Sequence, residues 1–118
     1  MKILIIDDNK SITNSLKKYL EVKGHNVSTC NNGSEGLALI RNDNWDKILL
    51  DLSMPEFSGL DIIESLERDD VMKMEKIIVF TAASIPDYVI EKLLAKEGIQ
   101  GLLKKPLSIV HLTDALTA

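Results

Sequence analysis

Ile3-Leu4-Ile5-Ile6 runs straight into Asp7-Asp8, and the chain repeats that pattern three more times. Ile48-Leu49-Leu50 stops at Asp51, and Ile77-Ile78-Val79-Phe80 stops at Thr81. Ile99 to Leu103, interrupted by Gln100 and Gly101, stops at Lys104-Lys105-Pro106. Short continuous apolar runs of this kind suit strands buried on both faces of a parallel sheet. Four such strands would align their carboxyl ends along one edge, where the ligands of open α/β sheets bind. Three carboxylates, a hydroxyl and an ammonium then meet in one crevice. A carboxylate cluster facing a lysine can hold a divalent cation and a phosphoryl group together, so phosphoryl chemistry is the leading reading.

Working outward from those runs, strand and helix patterns alternate five times, which points to a parallel sheet with helices on both faces. The first helix is expected over Lys10 to Lys23, with Ile12, Leu16, Tyr19, Leu20 and Lys23 at helical spacing and Gly24 as its stop. A second strand covers Val27 to Cys30, and a second helix covers Ser34 to about Asn42, with Gly36, Leu37, Ala38 and Ile40 facing inward. The third strand is Lys47 to Asp51, followed by a loop from Leu52 to Ser58 around Met54-Pro55. Ser58 and Asp61 have the spacing of a capping box, with Asp in place of the usual Glu or Gln. They open a third helix that Leu60, Ile63, Ser65 and Leu66 carry to about Arg68. Strand four is Lys76 to Phe80. Helix four starts near Pro86, with Ser84 as its cap, and stops at Gly98. Strand five is Ile99 to Leu103, and the last helix starts near Ser108 with Ile109, Leu112 and Leu116 on one face. That helix is short and the chain stops on it, as expected of a trimmed domain or one cut from a longer protein.

A chain of 118 residues is one domain by size, 1–118, and long enough for a real core. Its net charge of −4 argues against a duplex-binding surface, which needs clustered Lys and Arg. The single cysteine, Cys30, excludes an internal disulfide and a cysteine-based zinc site, and it reads as a packed thiol. No apolar run approaches the roughly 18 residues of a membrane span, and nothing at the amino terminus resembles a signal peptide. A cytoplasmic protein is expected.

The chemistry concentrates on the strand ends. Asp7, Asp8 and Asp51 together would repel unless a cation neutralised them. Mg²⁺ is the natural cation, a hard ion that takes a few carboxylates, waters and a phosphate oxygen, with Mn²⁺ as its substitute. Zn²⁺ would want His or Cys, and neither His25 nor His111 ends a strand. Asp51 is the candidate nucleophile, since carboxylates form aspartyl-phosphates. The Thr81 hydroxyl and the Lys105 ammonium can meet the phosphoryl oxygens. Pro106 restricts the backbone of Lys105 and so fixes where that side chain points.

Asp7-Asp8, Asp51-Leu52-Ser53-Met54-Pro55 with Gly59 beyond, Thr81-Ala82 and Lys105-Pro106 resemble the receiver domain of two-component response regulators, and the resemblance spans essentially the whole chain. It implies a flavodoxin-like, doubly wound α/β fold with a five-stranded parallel sheet in the order 2-1-3-4-5. It further implies that Asp51 takes a phosphoryl group from a histidine kinase or histidine phosphotransfer protein. Asp8, Asp51 and the backbone carbonyl of Ser53 would ligate Mg²⁺, with Asp7 acting partly through water. Thr81 and Lys105 would contact the phosphoryl group and transmit its arrival to a downstream protein on the face of helix four, strand five and helix five. Such a domain catalyses only its own phosphotransfer and dephosphorylation. No direct nucleic-acid partner and no membrane insertion are expected.

Three positions depart from that pattern. Leu102 stands where many receivers carry a Tyr or Phe that swings inward with the threonine, which puts the aromatic readout in question. Ala83 is small and apolar where many receivers place a polar side chain that tunes dephosphorylation. Lys104-Lys105 offers two lysines, and Lys105 is preferred because it directly precedes Pro106. Two other readings compete. Haloacid-dehalogenase-type phosphatases also phosphorylate a strand-end Asp with Mg²⁺, but they use an Asp-x-Asp pair, and here the second position is Ser53. A receiver-like docking module without phosphorylation is the other, although every residue expected for phosphorylation is present.

Overall fold

Alternate residues of each apolar run serve opposite faces of one sheet, and that alternation organises the molecule. The computed structural model describes residues 1–68, 76–82 and 85–117. Its elements in chain order are β1 (Lys2–Ile6), α1 (Lys10–Val22), β2 (Asn26–Cys30), α2 (Gly33–Asn42), β3 (Lys47–Asp51), α3 (Gly59–Arg68), β4 (Ile77–Thr81), α4 (Asp87–Leu94), β5 (Ile99–Lys104) and α5 (Ile109–Thr117). All strand pairings are parallel, and the order is β2-β1-β3-β4-β5, as the resemblance implied.

Leu4, Ile6, Ile48, Leu50, Ile77 and Val79 point to one face and pack under α2, α3 and α4. Ile3, Ile5, Leu49, Ile78 and Phe80 point to the other and pack under α1 and α5. Parallel strands covered on both faces must be apolar throughout, which is why these runs do not alternate with polar residues.

Most boundaries move by one residue, and the capping chemistry accounts for several of these moves. Asn9 caps α1 through its side-chain oxygen, and Asn32 caps α2 in the same way. The latter starts that helix at Gly33 rather than Ser34. Ser58 precedes α3 rather than opening it. Its hydroxyl accepts from the Asp61 N–H while the Asp61 carboxylate accepts from the Ser58 N–H, a complete capping box. β4 extends to Thr81 and β5 to Lys104, because Thr81 and Lys104 still pair across the sheet. α4 ends at Leu94, well short of Gly98. The expected cap Ser84 and the departure at Ala83 lie outside the described residues.

Four residues of the helical patterns are exposed, Ala38 among them although it was expected to face inward. Lys23 is the C-cap of α1 and is exposed, as is Ala38. Leu60 is 37% exposed and Ile109 is 47% exposed. Thr13 and Ile62 take buried helix positions instead. The rest of each stripe stays in place: Leu16 and Leu20 of α1, Gly36 of α2, Ile63, Ser65 and Leu66 of α3, and Leu112 and Leu116 of α5 are buried. Trp45 sits just before β3, at the opposite edge from the strand ends. Its indole N–H donates to the Leu39 carbonyl at 2.9 Å, and the Lys2 ammonium lies 4.8 Å from its ring centre. No helix among the described residues is long and apolar enough to cross a membrane.

Candidate phosphoacceptor and metal site

Strand register brings the site together. Ile6 pairs with Leu50 and Asp51 with Phe80, so β1, β3 and β4 end side by side. Backbone hydrogen bonds continue past the strands: Leu52 N–H donates to Phe80 O at 3.0 Å, and Lys105 N–H donates to Thr81 O at 3.0 Å. Gly59 lets the start of α3 lie against β3, since a Cβ there would sit 2.2 Å from the Asp51 carbonyl oxygen.

Asp7 and Asp51 are buried, at 0% and 2% exposure, and Asp8 is exposed. One carboxylate oxygen from each of the three lies within 4.8 Å of the others. That donor set is all hard oxygen, which suits Mg²⁺. His25 pairs with the amino terminus at 3.1 Å and His111 is exposed, so neither imidazole enters the set.

The Lys105 ammonium donates to Asp7 Oδ2 at 2.8 Å and to Asp51 Oδ2 at 3.4 Å. It also lies 5.1 Å from the ring centre of Phe80. Lys104 is exposed, so of the two lysines Lys105 is the one in the site. Burial pulls the Lys105 ammonium down. The hydrogen bond to Asp7 and the charges of Asp51 and Asp7 outweigh it, leaving the pKa above the ordinary lysine value. Burial pushes the Asp51 carboxyl up to about 6, and the charge of Asp7 adds to the push. The Ser53 N–H, donating to Asp51 Oδ1 at 3.1 Å, and Lys105 oppose it.

Thr81 is buried at the end of β4, with its hydroxyl 3.3 Å from the Ser53 hydroxyl. Beside it a cavity of about 300 Å³ opens between Thr81, Ile85, Ile90 and Leu102. Leu102 is half-buried against the apolar core on the α4 side. The Cys30 thiol is buried and free, donates to Asn32 O at 3.3 Å, and is pushed up chiefly by burial.

Two supports of Asp7 escaped the sequence reading. Asn9 N–H donates to Asp7 Oδ1 at 2.9 Å. The Asn31 amide donates to Asp7 O at 2.8 Å and to the Thr13 hydroxyl at 3.1 Å. Asn9 could have been found as a polar residue just before a helical pattern. Asn31 carries no such signal, because its contacts cross from one loop to another strand and helix.

This geometry defines an α/β protein with a cluster of carboxylates paired to a lysine at the carboxyl edge of a doubly wound sheet. The response regulator receiver domain family matches residues 3–117. The chain belongs to that family, whose members are the phosphoacceptor signalling domains of two-component systems. It is 32% identical to a response regulator receiver protein of Anaeromyxobacter over 96% of this chain, which spans 46% of that relative's length. It is 29% identical to the chemotaxis protein CheY of Pseudomonas aeruginosa over 98% of this chain and 93% of that protein. Among solved structures, the response regulator TrrA of Thermotoga maritima, in complex with Mg(2+)-BeF, superposes with a TM-score of 0.79 at 28% identity, covering 99% of this chain and 97% of that one.

Proposed function

We propose that Asp51 is the phosphoacceptor of this chain. The observation that carries the reading is the buried Asp51 carboxylate, grouped with Asp7 and Asp8 and 3.4 Å from the Lys105 ammonium. An Asp51 oxygen attacks the phosphorus of a phosphohistidine, the P–N bond breaks, and the imidazole leaves with its electron pair. Asp8, Asp51 and the Ser53 carbonyl would hold Mg²⁺, or Mn²⁺ in its place, with Asp7 beside them. When bound, the cation offsets the charge of the incoming phosphoryl group. Lys105 supplies a point charge to the phosphoryl oxygens, and the Thr81 hydroxyl leaves Ser53 to donate to them. The raised Asp51 pKa supports a metal-dependent reaction, since a nearby cation lowers it and frees the nucleophile at neutral pH.

On this reading residues 1–118 form a single receiver domain. It works in the cytoplasm, receives its phosphoryl group from a histidine kinase or histidine phosphotransfer protein, and catalyses only its own phosphotransfer and dephosphorylation. The downstream partner is a protein docking on α4, β5 and α5, with no direct contact to nucleic acid. Intact-mass measurement after incubation with acetyl phosphate and Mg²⁺ tests the site. A single phosphoryl adduct, absent from Asp51→Asn, is the expected result, and an undiminished adduct in that variant would sink the assignment. No adduct at all would favour a docking module, and repeated turnover of a phosphate ester would favour a phosphatase.

A further inference from the structure

We propose that Asn31 is a positioning residue for the acidic pocket, holding the Asp7 backbone so that the carboxylate meets the cation and Lys105 in one fixed geometry. This rests on the reading of Asp7, Asp8 and Asp51 as the metal site. Asp7 lies just beyond β1, and each of its polar groups has a protein partner. Its N–H donates to Cys30 O at 3.1 Å, Oδ1 accepts from the Asn9 N–H at 2.9 Å, and Oδ2 accepts from Lys105 at 2.8 Å. The remaining group is the carbonyl, and Asn31 takes it at 2.8 Å. Only the NH₂ end of the amide can donate to a carbonyl oxygen, which fixes the orientation of the side chain.

The second amide proton goes to the Thr13 hydroxyl at 3.1 Å, and that hydroxyl in turn donates to Lys10 O at 3.2 Å. Thr13 is 1% exposed. Its hydroxyl has spent its own proton on Lys10, so it is free to accept. The chain Asn31–Thr13–Lys10 therefore ties the loop after β2 to the first turn of α1, with Asp7 clamped between them. Asp7 needs such a clamp. It is a buried carboxylate that must hold its place beside two others, and a shift of its backbone would move both the metal-facing oxygen and the anchor of Lys105. Residues that orient a metal ligand in this way commonly carry 10–100-fold in metal affinity.

The test compares Mg²⁺ binding by calorimetry in the wild type, Asn31→Ala, Thr13→Val and Thr13→Ser, with Val27→Ala at the far end of β2 as a stability control. Asn31→Ala should weaken Mg²⁺ binding by about tenfold. Its rate of adduct formation from acetyl phosphate should return to within about twofold of wild type once Mg²⁺ saturates, a loss in affinity rather than in maximal rate. Thr13→Val should weaken binding in the same direction, and Thr13→Ser should restore it. In the metal-free protein the Asn31 carboxamide protons should be protected from exchange, and Thr13→Val should expose one of them. An unchanged Mg²⁺ affinity in Asn31→Ala would overturn the proposal, as would an equal loss in Val27→Ala. A wild-type chain that binds no Mg²⁺ would overturn the metal-site reading itself, and this one with it.

Discussion

Asp51 carries a cost in the metal-free protein. Its folded pKa of about 6 lies above the model-peptide value of 3.8. Between those two values the folded state binds more protons than the unfolded one, so stability falls as pH rises through that window. The penalty is complete above about pH 6, and a shift of that size corresponds to roughly 2–3 kcal/mol. Asp51→Asn removes the ionisation. Without Mg²⁺, the variant should therefore be more stable than wild type at pH 7.5, with the difference vanishing near pH 4. Urea midpoints at both values measure it, and an equal difference at the two would contradict the shift. Lys105 behaves in the opposite sense. Lys105→Met leaves Asp7 and Asp51 buried without their ammonium, a loss of about 3 kcal/mol for a broken buried pair. Added Mg²⁺ should recover part of it, because the ion takes over the neutralising role, and denaturation with and without Mg²⁺ would show this.

At the scale of elements, the start of α3 is pressed against the end of β3. In Gly59→Ala the new methyl would meet Asp51 main chain, not a flexible side chain. The helix must retreat, at a cost of about 1–3 kcal/mol. The loop from Leu52 to Ser58 should move with it, which a weaker Mg²⁺ affinity beside a lower melting temperature would report. The same scale shows what the sequence could and could not disclose. Every strand was legible, because runs such as Ile48-Leu49-Leu50 have only one comfortable home. The positions of Asp7, Asp51 and Thr81 were legible for the same reason, since each ends such a run. Helix faces were less so. Leu60 and Ile62 are both apolar, and only the angle of α3 on the sheet decides that Ile62 is buried and Leu60 is not. Asn31 and Thr13 were invisible because their meeting depends on a crossing of loops that no local spacing encodes. On the output side, the Thr81 hydroxyl lies 3.3 Å from that of Ser53, next to the cavity under Ile85 and Ile90, and on the proposed reading a phosphoryl group on Asp51 would draw it away from Ser53. Chemical-shift changes on beryllofluoride addition should therefore run from Ala82 to Lys92, with Leu102 only repacking. Changes confined to Ser53 to Leu60 would refute this route.

For the whole molecule, the pocket links binding to global stability. A ligand that prefers the folded state adds RT ln(1 + [L]/Kd), about 1.4 kcal/mol at ten times Kd. Mg²⁺ should raise the melting temperature of the wild type, and Asp8→Ala should abolish most of the rise. A full rise surviving in that variant would remove Asp8 from the site.

Trp45, the chain's one indole, lies just before β3, whose far end carries Asp51. The five-residue strand between them spans about 13–17 Å. The ring is 5% exposed and is held by the Leu39 carbonyl and the Lys2 ammonium. Its fluorescence should therefore be blue-shifted in the native state and shift to the red on denaturation. It should stay almost silent when Mg²⁺ or a phosphoryl group arrives. Optical titration of this chain would report the integrity of the sheet and miss its signalling state, whereas a tryptophan placed beside the pocket would report both.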